Sequence, residues 1–122
     1  MINNPKKPLP IYCGNEYLCS SNIIYVEALS NYSKIHLTNG RSITLAKTLK
    51  SVEELLTNCL FYRLHNSCLV NLFFVDLYKR IEDNKVNLSN GEILCISRRK
   101  RTAFLDTINK FRMAQYHFAN AV

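Results

Sequence analysis

The segment Lys34 to Leu45 constrains the architecture of this chain more than any other. Ile35, Leu37, Ile43 and Leu45 alternate there with Lys34, His36, Ser42 and Thr44 on either side of Asn39-Gly40. Period-two alternation sends successive side chains to opposite faces of a strand, and Asn-Gly favours a two-residue hairpin because both positions tolerate positive φ. A hairpin is therefore predicted, with one face on a core and the other wet. The whole stretch from Ile11 to Leu45 is strand-like. Thr48 can then cap a short helix in which Leu49, Val52, Leu55 and Leu56 follow the helical period, with Glu53 and Glu54 exposed and an end near Asn58.

A second set of strands is predicted at Tyr62 to Leu64, Cys68 to Val70, Phe74 to Ile81, Lys85 to Leu88 and Glu92 to Cys95, with turns at Asp83-Asn84 and Asn90-Gly91. Beyond Ser97, a natural N-cap, the period becomes helical: Phe104, Ile108 and Phe111 share a face with Leu105 beside them, while Lys110 and Arg112 fall outside it. The fold class is thus mainly β with short α elements: small antiparallel sheets, one intervening helix and a C-terminal helix, without a βαβ unit. A length of 122 residues suits one domain able to bury a core without disulfides. Residues 1–10 read as a tail, 11–118 as the domain and 119–122 as a second tail.

Five cysteines, Cys13, Cys19, Cys59, Cys68 and Cys95, are odd in number and lack Cys-x-x-Cys spacing; most sit beside apolar residues, as reduced, buried thiols do. His65 and Cys68 have His-x-x-Cys spacing, but no second ligand pair follows, so no metal or cofactor is expected. The longest stretch without a charge, Leu64 to Val75, has 12 residues, against the roughly 20 a membrane-crossing helix needs. The N-terminal MINNPKKPLP has no apolar run to make a signal peptide, so a cytoplasmic protein without a membrane partner is expected.

The formal net charge is +7, and its placement says more than its size. Ser97 to Arg112 holds Arg98, Arg99, Lys100, Arg101, Lys110 and Arg112 against Asp106 alone. A charge run is most often a solvated face. Cations at a helix N-terminus oppose the macrodipole, however, and phosphate is an anion that would offset them. The element order offers neither a helix-turn-helix pair nor a heptad-bearing basic helix, so a basic β-rich domain must read nucleic acid through loops or strands.

Several stretches resemble one family, the LytTR DNA-binding domain found at the C-terminus of many bacterial response regulators. They are Ile24-Tyr25-Val26-Glu27-Ala28, Asn31-Tyr32, Thr48-Leu49 with Glu54-Leu55-Leu56, Ser97-Arg98-Arg99 and, most specifically, Phe61-Tyr62-Arg63-Leu64-His65-Asn66-Ser67-Cys68-Leu69-Val70-Asn71. The resemblance runs from Ile11 to Phe111. It implies an elongated β-β-β arrangement of small sheets whose loops contact successive major grooves of duplex DNA. The positions matching the family's DNA contacts are Asn31, Ser33, Lys34, His65, Asn66, Arg98 and Arg99, to which the residues themselves add Arg63, Lys100 and Arg101. Arginine pairs bidentately with guanine, asparagine with adenine, and lysine mainly meets phosphate. Base choice is assigned to Asn66, Arg98 and Arg99, with Lys100 and Arg101 on the backbone.

The resemblance implies a sequence-specific transcription regulator or its output domain; because a single module of this size offers few base contacts, two copies on a direct-repeat site are expected, as a homodimer on DNA, with RNA polymerase as a further partner. Most of the family carry a phosphorylatable receiver domain ahead of this module, and Met1 to Pro10 is too short to hold one. Both a standalone regulator and a piece of a longer one remain open.

Each site residue has a blander reading. His65 is as readily a structural histidine holding its loop, Asn66 a local side-chain turn, and Arg63 a partner of Glu53 or Glu54. Asn71 and Glu27 read as structural polar groups, and Phe61, Phe73 and Phe74 as core. A basic RNA-binding module is the alternative, but Tyr12, Tyr17, Tyr25 and Tyr32 form no stacking stripe. An enzyme is not expected: a nuclease using Lys34, His36 and His65 lacks an acidic pair for metals and a glycine-rich phosphate loop. A protein-interaction domain sits poorly with the cations at Arg98 to Arg101.

Overall fold

The computed structural model describes residues 10–13, 16–56 and 60–120, with side-chain surroundings for 17–56 and 60–114. These form two compact units that meet in the chain at Phe73 and Phe74. The first contains β1 (Pro10–Cys13), β2 (Glu16–Cys19), β3 (Ile23–Leu29), β4 (Tyr32–Leu37), β5 (Ser42–Leu45), α1 (Leu49–Leu55), β6 (Phe61–His65) and β7 (Cys68–Asn71). The second contains β8 (Lys85–Asn87), β9 (Ile93–Cys95), a 3-10 turn at Arg98–Lys100 and α2 (Arg101–Asn120). The mainly β class read from the sequence is the one observed.

In the first unit β1 and β2 form an antiparallel pair, and a five-stranded sheet runs in the order β5-β4-β3-β7-β6. The predicted hairpin is β4-β5, with Ile35 opposite Ile43 and His36 opposite Ser42. Its turn works differently from the expectation. Gly40 takes φ +88, but Asn39 keeps a negative φ and uses its side chain, which accepts from the Arg41 amide at 2.9 Å. Helix α1 starts where Thr48 Oγ1 accepts from the Ser51 amide at 3.2 Å. Leu49, Val52 and Leu56 join Val26, Ile35, Leu37, Leu45 and Leu69 in the core, whereas Leu55, expected in that stripe, is exposed. The helix ends at Leu55, and the predicted end near Asn58 lies outside the described residues.

The face opposite α1 is not uniformly wet. Cys68 and Val70 point there and are buried, as is all of β7, because an unbroken apolar run suits a strand covered on both sides. On β3 and β4 the same face is closed by the Tyr25 ring stacked on His36, with centroids 4.1 Å apart, and by Glu27 Oε1, 2.7 Å from His36 Nε2. Glu27 is thus structural. So is Asn71: its buried amide donates to the Ile23 carbonyl at 2.9 Å and accepts from the Phe73 amide at 3.0 Å. Phe73 itself is exposed rather than core.

In the second unit β8 pairs with β9, and Asp83 and Asn84 both take positive φ, 54° and 55°, as the predicted turn requires. The strand expected over Phe74 to Ile81 does not form. A 3-10 turn, Leu72–Phe74, leads to a single bridge between Val75 and Leu88. Asp76 Oδ1 then accepts from the Tyr78 amide at 3.0 Å, a side-chain turn that competes with the ladder. Phe104, Ile108 and Phe111 are the buried stripe of α2, as predicted, with Leu105 at its margin. Arg112, expected outside, is half-buried: its guanidinium lies 5.8 Å from the Tyr78 ring and donates to the carbonyl of Leu77.

Two further expectations are corrected. Ser97 precedes the helical segment, but its hydroxyl makes no cap; the Lys100 amide bonds the Ser97 carbonyl at 3.0 Å, closing a 3-10 turn through the backbone alone. Among the described thiols Cys68 is buried, whereas Cys19 and Cys95 are exposed, because each falls on the outward phase of its strand. All three are free. No helix among the described residues is long and apolar enough to cross a membrane.

Candidate nucleic-acid interface

Strand direction brings three chain segments to one end of the five-stranded sheet. β3 and β4 are joined there by Ser30-Asn31, and β6 and β7 by Asn66-Ser67. The Ala28 amide bonds the Ser67 carbonyl at 2.9 Å, tying the first turn to the second. Opposite Ser33, β5 runs out through Leu45 into Ala46 and Lys47. Asn31, His65, Asn66 and Lys47 therefore gather at this end, although they are far apart in sequence.

The turn after β6 is held from several sides. A register shift between Arg63 and His65 marks a bulge, which re-aims the strand just before the turn. Arg63 folds across it: Nη1 meets Glu53 Oε1 at 2.6 Å, Nε donates to the His65 carbonyl at 3.0 Å, and Nη2 donates to the Asn66 carbonyl at 2.9 Å. With its guanidinium so engaged, Arg63 shapes the turn rather than facing outward. Of the acidic partners that the sequence offers it, Arg63 meets Glu53.

His65 Nδ1 accepts from the Ser67 amide at 3.1 Å. That bond requires the ring proton on Nε2, making Nε2–H the free donor. Burial, and secondarily the Arg63 charge, hold the His65 pKa below its ordinary value, so the ring is neutral near pH 7. His65 and Cys68 are register partners, but among the described residues no cluster of three metal-ligating side chains forms.

Within this frame the site residues divide. Asn31 and Asn66 are exposed, and among the described residues no partner holds either side-chain amide. Ser33 is fully buried, and its Oγ donates to the Lys47 carbonyl at 2.8 Å, so it anchors the loop after β5 and cannot itself reach a ligand. Lys34 is half-buried on β4, opposite Glu27 on one side and Thr44 on the other, beyond the turn itself. Lys47, exposed at the same sheet end, did not stand out in the sequence. Extending the register set by Asn39-Gly40 beyond Leu45 would have found it.

The second unit carries the basic stretch. Arg98 and Arg99 project from the 3-10 turn, exposed and without partners among the described residues. Lys100 and Arg101 are half-buried, and Arg101 Nη2 donates to the Ile81 carbonyl at 2.9 Å, which commits it to the fold. The cations assigned to base reading are thus the more available pair.

Comparison with known proteins follows the same lines. The family model of the LytTr DNA-binding domain matches residues 16–109. Among solved structures, the fold resembles a LytTr DNA-binding domain from Bacillus cereus described as that of a methyl-accepting/DNA response regulator. The TM-score is 0.60 at 22% identity, over 81% of this chain and 94% of that one. No curated protein matches the sequence. With most of its length matched in family order, this chain belongs to the LytTR family of DNA-binding domains.

Proposed function

We propose that the chain binds duplex DNA sequence-specifically as a bacterial transcription regulator or the output domain of one. The observation that carries this reading is a firmly held turn with a free amide at its tip: Arg63 bonds both carbonyls of His65 and Asn66, while the Asn66 side chain points to no partner among the described residues. Asn66 is suited to adenine N6 and N7, the His65 Nε2–H to an acceptor on a base edge or phosphate, and Arg98 and Arg99 to guanine. Lys34, Lys47 and Lys100 supply phosphate contacts. The chain's loops enter successive major grooves. One module makes few base contacts, so two copies occupy a direct repeat, where they meet RNA polymerase.

Selection of bound sequences from a random duplex pool tests this reading, with single-stranded RNA as competitor. A repeated motif should emerge, and Asn66→Ala should lose choice at one position, at a cost of about 1–3 kcal/mol. Enrichment without any motif, or preferential capture of RNA, refutes it.

A further inference from the structure

We propose that Leu29 reads the 5-methyl group of a thymine in the major groove, beside the base pair met by Asn66; the inference rests on the DNA reading above. Leu29 and Tyr32 are register partners flanking Ser30-Asn31, and they are 44% and 51% exposed. β3 and β7 are antiparallel, with Glu27 opposite Cys68 and the Ala28 amide bonded to the Ser67 carbonyl. Continued one residue further, that register sets Leu29 against Asn66. An aliphatic side chain thus stands next to a free amide on the same sheet end.

Thymine is the base that offers an apolar group in the major groove, and an apolar side chain distinguishes it from cytosine at that edge. Leu29 suits this role better than Tyr32, because it has no hydroxyl to keep hydrated. It makes its contact only when DNA is bound, since in the free chain nearly half of its surface meets water. An amide that reads adenine beside a leucine that reads a methyl group gives a preference for A·T pairs at adjoining positions.

The test uses the duplex that this chain selects from a random pool, with each thymine replaced in turn by deoxyuridine. The replacement removes one methyl group and leaves the hydrogen-bonding edge intact. At one position in each half-site the affinity should fall about fourfold, the worth of one buried methyl group. Leu29→Ala should bind the thymine and uracil duplexes equally, and Leu29→Met should restore the preference. Equal binding of both duplexes by the unaltered chain at every position overturns the inference while leaving DNA binding intact, as does a preference that survives in Leu29→Ala. Selection that yields no motif removes the inference together with the reading beneath it.

Discussion

Replacing Arg63 with methionine separates a side chain that shapes the turn from one that touches DNA. The change keeps the apolar stem and removes the guanidinium, with its bonds to the His65 and Asn66 carbonyls and to Glu53. The two carbonyls are partly open to water, so each lost bond is worth about 1 kcal/mol. The ion pair, with side chains 24% and 42% exposed, is screened and worth about 0.5 kcal/mol. Recovered side-chain entropy offsets part of this, leaving about 1–2 kcal/mol of lost stability. Thermal unfolding should shift down by about 3–8 °C. DNA affinity should drop about tenfold because the turn is no longer preorganised. The slope of log affinity against log salt should stay unchanged, since no phosphate contact is lost; each lost contact would flatten it by about 0.9. Titration at four salt concentrations, beside a melting curve, reads both quantities. A flattened slope with an unchanged melting temperature would refute the assignment and return Arg63 to the phosphate backbone. Glu53→Gln, which spares the carbonyl bonds, should cost under about 1 kcal/mol.

Three further outcomes follow from the same geometry. Because the His65 pKa is lowered in the folded chain, its contribution is fully present above the unfolded value near 6.5 and is lost as pH falls through the folded value; stability between pH 7 and pH 5 should therefore fall more steeply for the unaltered chain than for His65→Gln. Asn71→Ala leaves the Ile23 carbonyl and the Phe73 amide without the bonds that Asn71 supplied, so chemical denaturation should show a loss of about 2–4 kcal/mol. Arg99→Ala should relax selection at one base position by about 1–3 kcal/mol without moving the melting temperature, as expected for an exposed side chain with no partner among the described residues.

Local chemistry made the strands, both helices and the motif around Asn66 legible. The alternation through Ile35, Leu37, Ile43 and Leu45 gave the β4-β5 pairing, the period of Phe104, Ile108 and Phe111 gave α2, and Thr48 gave the start of α1. Each of these signals acts within a few residues. Where local signals competed, the reading failed. Phe74 to Ile81 carries strand-like residues, but the Asp76 side chain bonds the Tyr78 amide and the ladder stops after one bridge. Ser97 had the right residue type for a cap, but the backbone closed the turn first.

Residue type and spacing thus determined the fold class, the family and the basic and amide side chains available for DNA. Tertiary structure decided which of them face outward. Arg63 and Arg101 have the same chemistry as the exposed Arg98 and Arg99, yet they, like the Ser33 hydroxyl, are bonded to carbonyls: Lys47 for Ser33, the turn after β6 for Arg63 and Ile81 for Arg101. Leu29, an ordinary apolar residue in sequence, reaches the sheet end that carries Asn66 because β3 lies against β7. The partners of Ser33 and Arg101 lie 14 and 20 residues away, set by strand register and chain reversal that no local pattern encodes, whereas Arg63 bonds carbonyls two and three residues on, across the bulged turn.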